Sequence, residues 1–320
     1  MATKKKKKKV NLCVRGGESN GLAYFAPIKE MFQKGVLTGT AFLISAGVLM
    51  FVLYYCGYLP REIKALLKKL KCDFTMRQET KLETEKAPLH KKILAGLGIV
   101  FVVKTFWNRS MTKLLQQYVS WDMIKSAGRV DKVYIGFTTR RELKKPFPWY
   151  KPFFACMARL LSDKISEREC ERAYNESKLF WASDDGIYHV NTATGKMIKY
   201  SDDIIPLWEA VKCAIKNPAM NNFKISLNGK KEKPFDGGIW NNHGNQGYLG
   251  AKADSYYCLS CYPLPDSYFE GDSNFSDYVY NKNVPGKAFY FPPFKDDGFF
   301  AFNDKKIESE YLHAEPSNIF

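Results

Sequence analysis

The sequence predicts a membrane-anchored α+β protein: one or two transmembrane helices, a small mixed domain with an antiparallel meander, and an extended C-terminal arm rich in aromatics, proline and glycine. Three observations carry this. The run 37–59 is 23 residues long and holds no Asp, Glu, Lys or Arg. As a helix it would measure about 34 Å, enough to cross a hydrocarbon core of about 30 Å. Between residues 179 and 200, three short runs rich in aromatic and aliphatic residues are separated by turn sequences. From Pro218 on, eight prolines, nine glycines and 21 aromatic residues share 103 positions. Such a stretch is too aromatic for a disordered tail and too interrupted for long regular elements.

Taken in order, residues 1–35 form a basic tail with nine lysines and arginines against two acids. The six consecutive lysines at 4–9 repel one another and offer no core, so they read as a solvated tail, with a lipid, RNA or localisation contact as the functional alternative. The lysine-rich start lacks the apolar segment of a secretory signal. The anchor covers 36–107. After the spanning helix at 37–59, the segment 61–71 places Ile63, Leu66, Leu67 and Leu70 on one helical face. Arg61, Lys64, Lys68, Lys69 and Lys71 take the other, basic enough to lie on an anionic lipid surface. A shorter apolar helix at 93–107 becomes a second span when snorkelling of Lys104 and an interfacial Trp107 lengthen it.

The small α+β domain is expected over 108–217. Met111, Leu114, Leu115 and Tyr118 line a helix face, 130–137 has strand composition, and helices are expected at 152–163 and 165–180. The meander uses strands at 179–183, 187–191 and 196–200, and a helix with Pro206 in its first turn carries Leu207, Trp208, Val211 and Ile215. Residues 218–320 are the arm.

The formal charge of +16 is concentrated in the first third, since 107–320 is nearly balanced with 29 basic and 26 acidic residues. That favours anionic lipids over nucleic acid as a partner. Chemistry is sparse. Of eight cysteines, only Cys258 and Cys261 have ligand or redox spacing, and His243 is the nearest further ligand. With no fourth ligand, no cofactor is expected, and zinc held by Cys258, Cys261 and His243 is the alternative. His243 with Cys258 as base and nucleophile is a weaker idea still. The stretch 236–250 is dense in Gly, Asn and His, as binding loops and irregular loops both are. Asp184-Asp185 precedes Gly186 and reads as a turn. No Walker loop, GxGxxG after a strand, HExxH or GxSxG is found.

The expected function is a non-catalytic accessory subunit of a large membrane complex, placed in the mitochondrial inner membrane and of respiratory-chain type, held by its helices and strapped to other subunits by its arm. The alternatives are a protein linking a virion's internal membrane to its capsid, and a membrane-tethered enzyme or zinc/redox module using 236–262.

Overall fold

The uncharged run at 37–59 is a strand, a turn and a helix. A computed structural model describes residues 8–75, 112–144, 167–215, 223–248, 256–261, 278–279, 282, 287–294 and 304–320. Strand β2 (Leu37–Ile44) ends at Ser45, and helix α2 (Ala46–Tyr55) begins at the next residue. β2 lies between two parallel neighbours, β1 (Lys9–Val14) and β3 (Val130–Thr139). A parallel strand covered on both faces reads as a near-continuous apolar run. α2 is buried from Gly47 to Tyr55, and a helix buried all round is apolar all round.

Two buried elements in tandem therefore copy the composition of a membrane span. Among the described residues, no helix is long and apolar enough to cross a membrane. This overturns the membrane-anchored fold class, its transmembrane character, and the integral placement in a mitochondrial inner membrane or virion internal membrane that rested on it. The second expected span, at 93–107, and the helix at 152–163 lie outside the described residues, as do the lysines before Lys8.

The remaining strands are β4 (Phe180–Ser183), β5 (Gly186–Asn191), β6 (Lys196–Ser201), β7 (Ile225–Leu227), β8 (Lys230–Glu232), β9 (Pro234–Asp236), β10 (Tyr256–Ser260) and β11 (Lys287–Tyr290). Apart from the β7–β8 ribbon, the described strands make one nine-stranded sheet in the order β11-β10-β1-β2-β3-β4-β5-β6, with β9 also on β3. The first five run parallel, and β3 to β6 are antiparallel. The fold is mixed α/β. Three strands of the nine-stranded sheet, β9, β10 and β11, come from 218–320, so these parts of the expected free arm belong to the sheet. Among its described aromatics, Trp240, Tyr256 and Tyr278 are buried in one core and Phe291 in the other, while Tyr290 and Phe294 are exposed.

Strand alternation sorts the two cores. Leu12, Val14, Ala41 and Leu43 face α1 (Phe25–Lys34), α2 and α3 (Pro60–Thr75), joined by Ile124 of α4 (Trp121–Ala127). Cys13, Phe42 and Ile44 point the other way. They meet Trp181 and, beyond the short helix α5 (Arg140–Lys144), residues Cys170 and Tyr174 of α6 (Glu167–Glu176). Helix α7 (Leu207–Ala214) returns to the first face, as does Ile307 of α8 (Asp304–His313).

The basic face of α3 meets its own chain. Lys64 donates to Glu308 of α8 at 3.0 Å, and Lys68 pairs with the same carboxylate. Lys64 also sits 4.4 Å from the Tyr311 ring centre. Of the five residues expected at a lipid surface, Arg61 and Lys69 remain exposed, while the Lys71 side chain lies outside the described residues.

On α1, the fully buried Glu30 accepts from Lys34 Nζ at 2.8 Å, Ser317 Oγ at 2.9 Å, Ser317 N at 3.0 Å and Phe320 N at 2.9 Å. Burial pushes its carboxyl up, but these donors outweigh it and leave it below the ordinary 4.5. A depressed carboxyl contributes stability above its unfolded value and loses that contribution as pH falls through the folded one. The advantage of the parent over Glu30→Gln, measured by urea denaturation, should therefore shrink between about pH 6 and about pH 3.

Trp181 is fully buried, with Phe42 edge-on at 5.1 Å between ring centres. Trp181→Ala should cost about 3–5 kcal/mol. Its indole N–H meets no acceptor among the described residues, so Trp181→Phe should lose much less on the same urea curves.

Candidate functional site

Three turns converge where the parallel strands end, the edge at which α/β sheets hold their ligands. β1 runs out into Arg15-Gly16-Gly17 and then a 3₁₀ segment, Glu18–Tyr24. β2 runs out into Ser45. β9 ends at Asp236, whose side chain caps the one-turn helix Gly237–Ile239.

Ser45 has φ 49° and ψ −128°. The other described non-glycine residues with positive φ are Asn228 and Asn318, a type that visits that region readily. A serine does not, so its backbone holds strain. A strained strand-to-helix turn is where α/β sheets can carry a nucleophilic serine, and Ser45 on its turn is 8% exposed. Ser45 Oγ donates to Asp236 Oδ2 at 2.6 Å, the length of a charge-assisted O–H···O⁻ bond. Asp236 Oδ1 accepts from Gly238 N at 2.7 Å, which fixes the carboxylate plane.

β3 sets this meeting. β2 pairs along β3 up to Ile44 opposite Gly136, and β9 takes the next stretch of β3 from the opposite direction, ending with Asp236 opposite Phe137. Because β4 covers the other edge of β3 at Gly136 and Phe137, β2 and β9 share one edge. Their carboxyl ends meet head-on.

The junction has no room for side chains. A Cβ on Gly237 would lie 2.6 Å from Gly136 O, and one on Gly136 would lie 2.1 Å from Ile44 Cδ1. A Cβ on Gly16 would lie 2.5 Å from Ser45 Cβ and 2.4 Å from Asn242 Oδ1, so the Gly16-Gly17 turn lies directly against the serine. Gly16 N donates to Asn242 O at 2.9 Å.

The structure scatters the residues that sequence spacing had grouped. Cys258 lies in β10 opposite Cys13 of β1, in the core shared with Trp181. Cys261, just past the strand, belongs to the core on the other face. Odd spacing along an extended chain puts the two thiols on opposite sides of the sheet, which removes them as a chelating pair. Among the described residues, no three His, Cys, Asp or Glu side chains form a metal-holding group. His243 is buried, and the Ser45–Asp236 bond is direct, so no imidazole stands between them. Asp184 is paired with Lys132 at 2.7 Å and Lys125 at 3.2 Å, which hold its carboxyl below the ordinary value against the upward push of burial.

Ser45 was hidden inside the apolar run. Position 43 is leucine where the GxSxG pattern asks for glycine, so only Ser45-Ala46-Gly47 remained as a signal. Gly16 and Gly17 were equally inconspicuous. No protein-family model matches the chain, and no curated protein matches it in sequence.

Strain at Ser45 has a measurable sign. Ser45→Gly and Ser45→Ala both remove the hydroxyl, but glycine tolerates positive φ and alanine does not. The glycine variant should be the more stable of the two by about 1–3 kcal/mol in urea denaturation, the reverse of the usual order.

Proposed function

We propose that the protein is a serine hydrolase that cleaves an acyl ester through a Ser45–Asp236 dyad. The single observation that carries this is the 2.6 Å bond from a strained, turn-borne serine hydroxyl to a half-buried carboxylate. A general base must lie within about 2.6–3.2 Å of the proton it takes. Asp236 Oδ2 accepts the Ser45 proton as Oγ attacks the ester carbonyl, and the carbonyl π pair moves onto oxygen. We assign that oxygen to the amides of Ala46, next in the chain, and of Gly17 in the glycine turn, since Gly16 N is already committed to Asn242 O. Amides so placed stabilise an oxyanion. Collapse of this intermediate breaks the ester C–O bond, and the leaving alcohol takes the proton from Asp236. Water then attacks the acyl-Ser45 ester, giving a proton to Asp236; collapse breaks the acyl C–Oγ bond, Asp236 returns the proton to Ser45 Oγ, and the acid departs. A carboxylate is a weaker base than imidazole, which suits an ester better than an amide. The net charge of +16 favours encounter with anionic carriers of that ester, an anionic lipid surface among them.

The accessory-subunit reading drew on a spanning helix and a free arm; residues 37–55 form a strand and a buried helix, and 218–320 supplies β9, β10 and β11 to the sheet. The site favours catalysis, and residues 236–262 contribute to it through Asp236.

Purified full-length protein should hydrolyse p-nitrophenyl butyrate and take up a fluorophosphonate at Ser45, seen as a mass shift on its peptide. Ser45→Ala and Asp236→Asn should each lower kcat by about 10³-fold or more. Parental turnover in Asp236→Asn would eliminate the dyad.

A further inference from the structure

Around the glycine turn, successive peptide groups are tied to fixed partners. Arg15 N donates to Leu259 O of β10 at 2.9 Å, and Gly16 N to Asn242 O at 2.9 Å. Arg15 O accepts from the Tyr24 hydroxyl at 2.7 Å, and the same hydroxyl lies 3.2 Å from Leu259 O. Gly16 O accepts from the Cys261 thiol at 3.9 Å, and Gly17 O from Asn20 N at 2.9 Å. In a trans peptide the N–H and C=O point in opposite directions. A thiol that fixes the Gly16 carbonyl on the Cys261 side therefore turns the Gly17 N–H away from it.

We infer that Tyr24 and Cys261 are positioning residues: they hold the carbonyls of Arg15 and Gly16 so that the Gly17 N–H is aimed at the oxyanion formed on an ester carbonyl at Ser45. The inference rests on the dyad reading. Both side chains are fully buried at the end of β10 and the start of α1, with no route to touch a substrate themselves. Burial, together with the neighbouring Cys261, pushes the Tyr24 phenol well above its ordinary value, so it stays a neutral donor wherever the dyad works. Holding donors rigidly before charge develops is where such sites gain their rate. The effect belongs in kcat, because the ground-state carbonyl gains little from the same amide.

The test uses full-length protein, p-nitrophenyl butyrate, and three single variants: Tyr24→Phe, Cys261→Ala and Ser45→Ala. Tyr24→Phe keeps the ring and its packing while removing the donor to Arg15 O. It should lower kcat roughly tenfold or more with KM within about twofold, short of the about 10²–10³-fold lost when an oxyanion donor itself is deleted. Fluorophosphonate labelling of Ser45, which passes through a similar charged oxygen, should slow in parallel. Cys261→Ala should move the same two quantities in the same direction, and it serves as the test if Tyr24→Phe does not fold. A merely structural role would appear as a lowered Tm with parental kcat in the folded fraction, and that result in both variants overturns the inference. If Ser45→Ala is inactive while Tyr24→Phe and Cys261→Ala turn over at the parental rate, only the positioning role fails. If Ser45→Ala is as active as the parent, the dyad reading fails and this inference fails with it.

Discussion

One edge of one strand holds the site together. β3 offers its hydrogen-bonding edge first to β2 and then to β9, and the change of partner falls at the Gly136–Phe137 step. Two strands arriving from opposite directions must end there, and whatever residues follow them are forced into contact. The residue following β2 is Ser45, and the last residue of β9 is Asp236. Ladder hydrogen bonds set the register, so neither side chain needs a partner of its own to find the other. The glycines at 136 and 237 follow from the same geometry, because Cβ atoms would occupy the space that the two chain ends share.

The opposite side of the turn is built from a different part of the chain. β10 inserts between β1 and β11, bringing Leu259 and Cys261 beneath Arg15 and Gly16. The polar stretch after Gly238 supplies the other wall: Asn241, Asn242, His243, Asn245 and Gln246 are all buried. Asn241 Oδ1 accepts from His243 N at 3.0 Å, and Asn242 O accepts from Gly16 N. Buried polar groups are tolerated when they bond to one another or to main chain. Within a run that has the composition of a ligand-binding loop, Asn242 braces the glycine turn through its main-chain carbonyl.

What could be read from sequence follows from which residues act locally. The meander was legible because β4, β5 and β6 are joined by turns whose residue types announce them, Asp184-Asp185-Gly186 and Asn191 to Gly195. The helices carrying Leu66 and Leu67, and Leu207 and Val211, were legible because one face is wet. The 37–59 run was misread because burial on every side erases both periodicities, leaving length as the only evidence, and a strand plus a helix adds to the length of a span. β9, β10 and β11 were invisible for a simpler reason: at three, five and four residues, they are too short to show a period. The dyad was beyond reach because its spacing is set by β3, not by the chain between. Cys258 and Cys261 failed the other way, a familiar spacing placed on an extended segment that sends the thiols apart.

The serine and the carboxylate it touches are 191 positions apart, and the tyrosine beneath the glycine turn reaches a carbonyl 235 positions away. Closing loops of that size is slow and is rewarded only when the last strands dock. During synthesis, β1, β2 and β3 would emerge with the nucleophile already on its turn but with no base beside it and no floor under the glycines. On the dyad reading, a growing chain would be chemically silent until β9, β10 and the residues around them have been made. Under that reading, turnover would report that the distant third of the molecule has found its place, and its appearance on refolding would be a clock for the slowest step in the sheet's completion.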